Sequence, residues 1–329
     1  MRKILLSILS LLMILTACSK EVSQTNQNSP QSEETPDFSS YYYTFTDDVG
    51  NEIELAKKPQ NVAVLFSSYA EIWEISGGKV DITVQESIDR NLVENDCILV
   101  DEKSGHTSID LERLIASEPD LVIGTADYEI QCETIELCRE NDIPAALFRI
   151  ETFEDYLETL KICTDINGEP QLYEEYGVKV GEKIENLLAQ IKNTQQNSKD
   201  ILFVRAGTSG KSTKAKTAED NFVCAMLKEL GTNNIAEKAP ILLDGLSLEE
   251  IVVSNPEHIF ITLMGNQEAA TDYMNSVLSE TGWNSLTAVQ NQNYHYLPKD
   301  LFHYKPNHRW YDAYKQLAEI LYPEIEFAE

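Results

Sequence analysis

One sequence motif, called the repeated phrase below, occurs twice in the chain, and this repeat limits the folds that the chain can adopt. Residues 110–120 read Asp-Leu-Glu-Arg-Leu-Ile-Ala-Ser-Glu-Pro-Asp, and residues 247–257 read Ser-Leu-Glu-Glu-Ile-Val-Val-Ser-Asn-Pro-Glu. An apolar run follows each copy, at 121–123 and at 259–261. This pattern is typical of a short helix that ends near a proline and leads into a buried strand. The repeat therefore predicts two similar α/β halves.

Both copies place a glutamate at the same register of the predicted helix. The apolar residues that share one face are Leu111, Leu114 and Ile115 in the first copy and Leu248, Ile251 and Val252 in the second. Residues at this spacing form an amphipathic stripe that packs onto a core. Glu112 and Glu249 lie off that stripe. We expect both carboxylates at the surface.

Strand and helix patterns alternate on either side of a long helical segment. Strand patterns are predicted at 61–66, 80–84, 97–100, 121–123, 145–150, 201–204, 259–263 and 294–297, and helices at 67–73, 109–117, 129–141, 220–230, 248–253, 267–279 and 308–321. Residues 152–195 between them carry helical periodicity, with a long helix over 169–195. Such alternation predicts mostly parallel sheets covered on both faces. The predicted order is a lobe at 41–150, a helical connector at 151–198 and a second lobe at 199–329.

The N-terminus predicts export and attachment to a membrane. Arg2 and Lys3 precede an apolar run that is too short to span a bilayer, as in a secretory signal. The run ends in Leu15-Thr-Ala-Cys18, which resembles the bacterial lipoprotein box. The resemblance implies a signal peptide at 1–17, lipidation of Cys18 and a flexible tether over 18–40. The protein would then lie at the outer face of the cytoplasmic membrane; a plain cleaved signal is the alternative.

Composition excludes one class of partner. The chain has 55 acidic residues against 26 lysines and arginines, a formal net charge of −29. Such a surface repels nucleic acid, so nucleic-acid binding is set aside.

Five cysteines remain beyond Cys18, and they form no Cys-x-x-Cys pair. Free buried thiols are expected, with one disulfide as an open alternative.

The chain as a whole resembles the Fe/B12-type periplasmic-binding family. The resemblance covers residues 41–323 and rests on an opening hairpin at 45–53, the phrase at 112–123, the long helix, and the closing elements Trp283-x-x-Leu-x-Ala-Val, Tyr296-x-x-Pro and Leu321-Tyr-Pro323. It implies an α/β fold of two Rossmann-like lobes joined by a single long interdomain helix, with a ligand cleft between the lobes. It also implies a substrate-binding protein of an ABC importer for siderophores, haem or cobalamin.

Candidate ligand-binding residues come from three sources: loops beyond the carboxyl ends of parallel strands, where ligands lie, the loop at 104–107, and the segment 302–310, which is rich in aromatic residues, cations and histidines. They are Ser68, Tyr69, His106, Tyr128, Arg205, Met264, His303, Tyr304, Arg309 and Trp310. Aromatic rings and cations in this set suit a large, flat, partly anionic ligand. Arg205 and Arg309 are the preferred anchors, since family siderophore binders commonly use arginine and tyrosine. No compact metal cluster is visible; a site that joins His106 to His303, or haem ligation through His106, stays open.

The predicted function is capture of an iron–siderophore-type complex and its delivery to an ABC permease and ATPase, by a monomer that carries no cofactor. Cobalamin and haem are the alternative ligands. The resemblance also implies that Glu112 and Glu249 dock onto the permease, with Glu250 as a possible substitute. A hydrolase or metalloenzyme on an α/β scaffold is the alternative of another class, although the sequence lacks Gly-x-Ser-x-Gly and His-Glu-x-x-His motifs.

Overall fold

A computed structural model describes residues 41–101, 108–194 and 197–327. Its N-terminal elements are β1 (Tyr43–Thr46), β2 (Glu52–Leu55), β3 (Val62–Val64), α1 (Ser67–Ile75), β4 (Ile82–Thr83), α2 (Gln85–Asp89), β5 (Ile98–Leu99), α3 (Leu111–Ala116), β6 (Leu121–Thr125), α4 (Glu129–Glu140) and β7 (Ala145–Phe148). The strands β1 and β2 form an antiparallel hairpin. The remaining strands and helices of this group are called the N-terminal lobe below.

The N-terminal lobe is built on a parallel sheet in the order β5-β4-β3-β6-β7. Successive residues of a strand point to opposite faces. Val62 and Val64 accordingly join one hydrophobic cluster, whereas Ala63 and Leu65 join another. The strand order reverses between β3 and β6, and ligands of such sheets bind beyond this reversal point.

A helical region follows β7. It consists of α5 (Phe153–Asn167), α6 (Pro170–Tyr173), one stretch of π-helix at Glu174–Val178, and α7 (Lys179–Asn193). A Thr152–Asp155 capping box begins α5, and Gly168, at φ 73°, ends it in the left-handed conformation that glycine adopts most readily. The predicted helix over 169–195 thus corresponds to a helical run over 170–193. The prediction that it is the single interlobe helix stays a prediction.

The remaining elements are called the C-terminal lobe. They are β8 (Lys199–Ala206), β9 (Lys214–Ala215), α8 (Phe222–Glu229), β10 (Thr232–Asn234), α9 (Ile241–Asp244), α10 (Leu248–Ser254), β11 (His258–Leu263), α11 (Gln267–Ser279), α12 (Thr287–Gln290), β12 (Tyr294–Tyr296), α13 (Lys299–Phe302) and α14 (Trp310–Leu321). The parallel strands lie in the order β10-β8-β11-β12, and β9 pairs antiparallel with β8. The order reverses between β8 and β11, as it does between β3 and β6.

One hydrophobic cluster contains residues of both lobes. Val64 and Phe148 of the N-terminal sheet belong to it together with Phe203 and Phe260 of the C-terminal sheet. Trp310 lies within it, with its ring 6.0 Å from Phe153 and 5.8 Å from Phe222 between centroids. The lobes therefore share buried apolar surface, which opposes a wide separation.

The structure confirms the α/β fold class and corrects details. Glu112 and Glu249 are exposed, as predicted, and Leu114 and Ile251 are buried. Val252, however, is 41% exposed and does not join the buried face expected for it. The short strands β9 and β10 were not predicted, because two or three residues carry no readable periodicity. Among the described residues, no helix has both the length and the apolar character needed to cross a membrane.

Candidate functional site

A cavity of about 410 Å³ opens where the strand ends of the two lobes face each other. The residues that line it are Phe66, Asp127, Tyr128, Arg149 and Glu151 from the N-terminal lobe and its margin, and Arg205, Glu219, Asp220, Asn221, Phe222, Thr262, Phe302, His303 and Lys305 from the C-terminal lobe. Phe66 follows β3 and Tyr128 follows β6, whereas Arg205 and Thr262 are paired neighbours on β8 and β11. The cavity thus lies at the order reversal of both sheets.

Tyr128 and Arg205 belong to opposite walls of the cavity. Tyr128 is the residue before α4, and its ring lies 6.0 Å from that of Phe66. Burial raises the pKa of Tyr128, and the positive charge of Arg205 opposes this rise. The phenol therefore stays protonated near neutral pH and can donate a hydrogen bond. The Arg205 Nε donates to the Sδ of Met264 at 2.9 Å, which holds the guanidinium at the strand end.

Most of the charged groups around the cavity are already paired. Arg149 Nε contacts Asp127 Oδ1 at 2.9 Å, and Lys305 Nζ contacts Glu151 Oε1 at 3.0 Å. The second of these pairs joins the segment after β7 to the C-terminal lobe. Such pairs hold the cavity walls in place and leave fewer charges for a ligand.

Asp220 is held by groups of its own loop. Lys216 Nζ contacts its Oδ2 at 2.6 Å, and the backbone N–H of Thr217 donates to its Oδ1 at 2.9 Å. Partial burial by itself raises the pKa of Asp220, but these hydrogen bonds and the lysine charge outweigh it, so that the pKa is lowered. The carboxylate therefore stays ionised and structurally engaged.

A largely buried polar network, called the interlobe network, meets the cavity at Lys305. It consists of Ser68, Glu71 and Arg90 of the N-terminal lobe and Lys305 and Asn307 of the C-terminal lobe. Asn307 Nδ2 donates to the Ser68 carbonyl oxygen at 2.8 Å and to Glu71 Oε2 at 2.9 Å. The Lys305 backbone N–H and Arg90 Nη1 reach the Ser68 Oγ at 3.4 Å and 3.3 Å. The network fixes the two lobes directly to each other.

A model of the family described as periplasmic binding protein matches residues 62–301. The chain belongs to this family. The match covers both parallel sheets and the cavity-lining residues from Phe66 to Thr262, and extracytoplasmic binding is the activity of the family. No curated protein sequence matches the chain.

Solved structures of binding proteins have the same fold. Staphylococcus aureus SirA complexed with staphyloferrin B is 18% identical, with a TM-score of 0.67 over 87% of this chain and 100% of SirA. The periplasmic heme-binding protein RhuT from Roseiflexus sp. RS-1 is 16% identical, with a TM-score of 0.64 over 80% of this chain and 98% of RhuT. The vitamin B12 binding protein BtuF of Vibrio cholerae is 17% identical, with a TM-score of 0.65 over 80% and 97%.

Three of the residues predicted to bind ligand line the cavity of this periplasmic binding protein. They are Tyr128, Arg205 and His303. Met264 is not among the lining residues but contacts Arg205. His106, and with it any metal or haem site that uses it, lies outside the described residues, as does Cys18.

The other predicted residues lie away from the cavity surface. Tyr69 is 1% exposed, and its hydroxyl donates to the Phe148 carbonyl oxygen at 3.1 Å. Ser68 and Trp310 are fully buried, Ser68 in the interlobe network and Trp310 in the shared hydrophobic cluster. Ser68 is buried because the segment before α14 packs against the start of α1, and Trp310 is buried because its ring packs against Phe153 and Phe222.

Tyr304 and Arg309 are engaged with neighbouring side chains. The Arg90 guanidinium lies over the Tyr304 ring, 3.8 Å from its centroid, and Arg309 Nη1 contacts Asp300 Oδ2 at 3.0 Å. Arg309 was a preferred anchor, but neither residue lines the cavity. The two preferred arginines therefore differ: Arg205 faces the cavity and Arg309 is held by an aspartate of its own lobe.

Several lining residues were not predicted. Arg149 and Glu151 follow β7, so the strand-end rule could have found them. Glu219, Asp220 and Phe222 follow the two-residue strand β9, which the sequence does not reveal. Within the described ranges, no group of three His, Cys, Asp or Glu side chains is arranged to hold a metal ion.

The five cysteines within the described residues are all free. Burial raises the pKa of Cys138 to about 11 and that of Cys163 to about 12. A thiol with a raised pKa is protonated near neutral pH and a weak nucleophile. Cys138 and Cys163 therefore act as small apolar residues of the core.

Proposed function

We propose that this protein is an extracytoplasmic solute-binding lipoprotein that captures an iron–siderophore-type complex and delivers it to an ABC importer. The observation that carries the proposal is the interlobe cavity, in which Arg205 faces aromatic side chains from both lobes. Cations and aromatic rings together suit a chelate with an anionic oxygen face and an apolar body. Binding of siderophore, haem and vitamin B12 by proteins of the same fold supports this class of ligand. Haem and cobalamin remain the second candidates.

Tryptophan fluorescence tests the proposal directly. Trp310 lies in edge contact with Phe222, which lines the cavity, so a bound iron complex would quench its emission. We expect saturable quenching by ferric siderophores in a panel that also contains haem and cobalamin. The variant Arg205→Gln should weaken binding at least tenfold, whereas Arg113→Gln, an exposed arginine of α3, should leave it unchanged. If only haem or cobalamin binds, that compound would replace the siderophore as the proposed ligand. If no member of the panel binds, the proposal would be refuted.

Delivery is proposed to use Glu112 and Glu249. Both carboxylates are exposed in the first turns of α3 and α10, the two helices that lie within the two copies of the repeated phrase. The double variant Glu112→Lys/Glu249→Lys should abolish ligand uptake by cells and leave ligand affinity intact. Glu133→Lys/Glu268→Lys is the matched control, because these glutamates are also exposed and lie on other helices. Loss of affinity in the first variant, or equal loss of uptake in the control, would contradict the docking role.

Attachment to the membrane is proposed to use Cys18. A diacylglyceryl group supplies two acyl chains, which is enough for stable anchoring where one chain is marginal. Metabolic labelling with a radioactive fatty acid should mark the wild-type protein and not the Cys18→Ser variant. An unlabelled wild-type protein that is released from cells would favour the plain cleaved signal.

A further inference from the structure

The charges that line the cavity are divided unequally between pairs and single groups. Seven lining residues carry a charge: Asp127, Arg149, Glu151, Arg205, Glu219, Asp220 and Lys305. Of these, Asp127, Arg149, Glu151, Asp220 and Lys305 are in ion pairs of 2.6–3.0 Å. Arg205 and Glu219 have no oppositely charged partner within 4.0 Å among the described residues. The cavity therefore offers a ligand one unpaired cation and one unpaired anion.

Arg205 is the group on which an anionic part of a ligand can be held. Its side chain lies at the end of β8, partly buried, and its contact with Met264 is to a weakly polar sulfur. A buried cation without a counter-charge is costly, and an anionic ligand oxygen would remove that cost. Arg205 can form two parallel hydrogen bonds to such oxygens.

Glu219 supplies the opposite charge from the loop between β9 and α8. Its side chain is exposed at the cavity, next to Asp220, whose carboxylate is taken up by Lys216 and Thr217. A carboxylate in this position accepts hydrogen bonds from a ligand ammonium group. It also repels any anionic arm that extends past Arg205.

The balance of charge opposes polyanionic ligands. Four carboxylates line the cavity against three cations, and the chain carries a formal net charge of −29. A chelate with several negative charges would find one unpaired cation and would enter against the field of the whole protein. A chelate with an ammonium group would be attracted by the negative field of the protein and by the unpaired Glu219.

We propose that the cavity selects a metal chelate that carries an amino group, with its anionic oxygen face on Arg205 and its ammonium group at Glu219. This inference rests on the proposed function. It names a substrate class within that function and assigns Glu219 as the residue that sets the charge preference. The aromatic walls formed by Phe66, Tyr128 and Phe222 would contact the body of the chelate between these two ends.

Ferric complexes that differ only in terminal charge test this proposal. The panel contains a ferric trihydroxamate with a free terminal ammonium, its N-acetyl derivative, its N-succinyl derivative, and a trianionic ferric tris-catecholate. We expect the ammonium form to bind about tenfold more tightly than the acetyl form, and the succinyl form and tris-catecholate to bind most weakly. Tenfold corresponds to about 1.4 kcal/mol. The amine-bearing chelator is also tested without its metal. This measurement separates recognition of the metal chelate from recognition of the amine alone.

Two variants assign the effect to residues. Glu219→Gln should lower the affinity for the ammonium form to that for the acetyl form, and Arg205→Gln should weaken binding of every complex. Glu268→Gln, an exposed glutamate of α11, is the matched control and should change nothing. A tightest ligand without an amino group, or an unchanged preference in Glu219→Gln, would overturn this inference and leave the proposed function standing. Absence of binding by every chelate would instead overturn the proposed function.

Discussion

Asn307 and Ser68 are 239 positions apart in the chain, yet Asn307 Nδ2 donates a 2.8 Å hydrogen bond to the Ser68 carbonyl oxygen. Asn307 is fully buried and has a positive φ of 53°, a conformation that asparagine tolerates better than most residues. The same amide group also binds Glu71 Oε2. One side chain thereby connects the segment before α14 to the first helix of the other lobe.

Replacement of this amide should destabilise the protein. Asn307→Asp removes both donors and places a carboxylate beside Glu71, so we expect the free energy of unfolding to fall by about 3 kcal/mol. Urea unfolding followed by tryptophan fluorescence measures the change. Asn255→Asp is the matched control, since Asn255 also has a positive φ but is exposed, and it should cost less than 1 kcal/mol. An equal fall in the free energy of unfolding of the two variants would show that the hydrogen bonds of Asn307 in the interlobe network do not add to stability.

The shared core and the interlobe network together predict limited closure on ligand binding. Apolar residues of both sheets occupy one cluster, and Lys305 and Asn307 bind the N-terminal lobe through Glu151 and Ser68. We expect rocking of a few degrees, with the radius of gyration nearly unchanged in solution scattering with and without a ferric chelate. A large compaction on binding would contradict this expectation.

The histidine pair at the opposite end of the C-terminal sheet predicts loss of stability in acid. His258 Nδ1 lies 3.3 Å from His295 Nε2, and burial, together with the neighbouring charges of His295 and Lys199, lowers the pKa of His258 to about 4. Burial also lowers the pKa of His295. Between pH 6.5 and pH 4 the unfolded chain binds a proton that folded His258 does not. A shift of this size corresponds to about 3.4 kcal/mol, and solvent screening of this partly buried ring reduces it, so the free energy of unfolding should fall in that window by on the order of 2 kcal/mol.

This prediction is measured by urea unfolding at several pH values between 7 and 4. Carboxylates titrate in the lower part of the same window, so the comparison is between wild type and His258→Gln. The variant should be less stable near pH 7 but should lose less stability on acidification. A pH profile parallel to that of the wild type would exclude a contribution from His258.

Gly78 is required where the chain passes Trp73. A Cβ atom on residue 78 would lie 2.3 Å from Trp73 Nε1, which donates to the Lys79 carbonyl oxygen at 3.0 Å and belongs to a ring that is 1% exposed. Gly78→Ala should lower the free energy of unfolding by about 2–3 kcal/mol, because the ring has no room to move. Gly245→Ala is the matched control, since no atom lies within 4 Å of its added Cβ. A Gly78→Ala protein as stable as this control would refute the steric argument.

Much of the secondary structure follows from local pattern. The helix predicted at 267–279 is α11, Gln267–Ser279, and the helix predicted at 67–73 is α1, Ser67–Ile75, which ends just before Gly77 at φ 87°. Glu112 and Glu249 are exposed as their position off the apolar stripe predicted. These features depend on neighbours within a few positions, such as helix-stop glycines and amphipathic spacing, which the sequence displays directly. The strand-end rule also singled out Tyr128 and Arg205, and both line the cavity.

The sequence by itself determined the alternation of strands and helices, the two halves and the loops at which a ligand could bind, because each depends on short-range periodicity. Only the tertiary structure decided which residues of those loops face the cavity. Tyr69 packs against Phe148, and Trp310 packs against Phe153 and Phe222, so both are buried by residues far away in the sequence, and the sequence carries no local trace of these contacts. Charge pairing is decided in the same way: Arg205 and Arg309 look equivalent in the sequence, but Arg309 folds beside Asp300 and Arg205 lies beside a methionine.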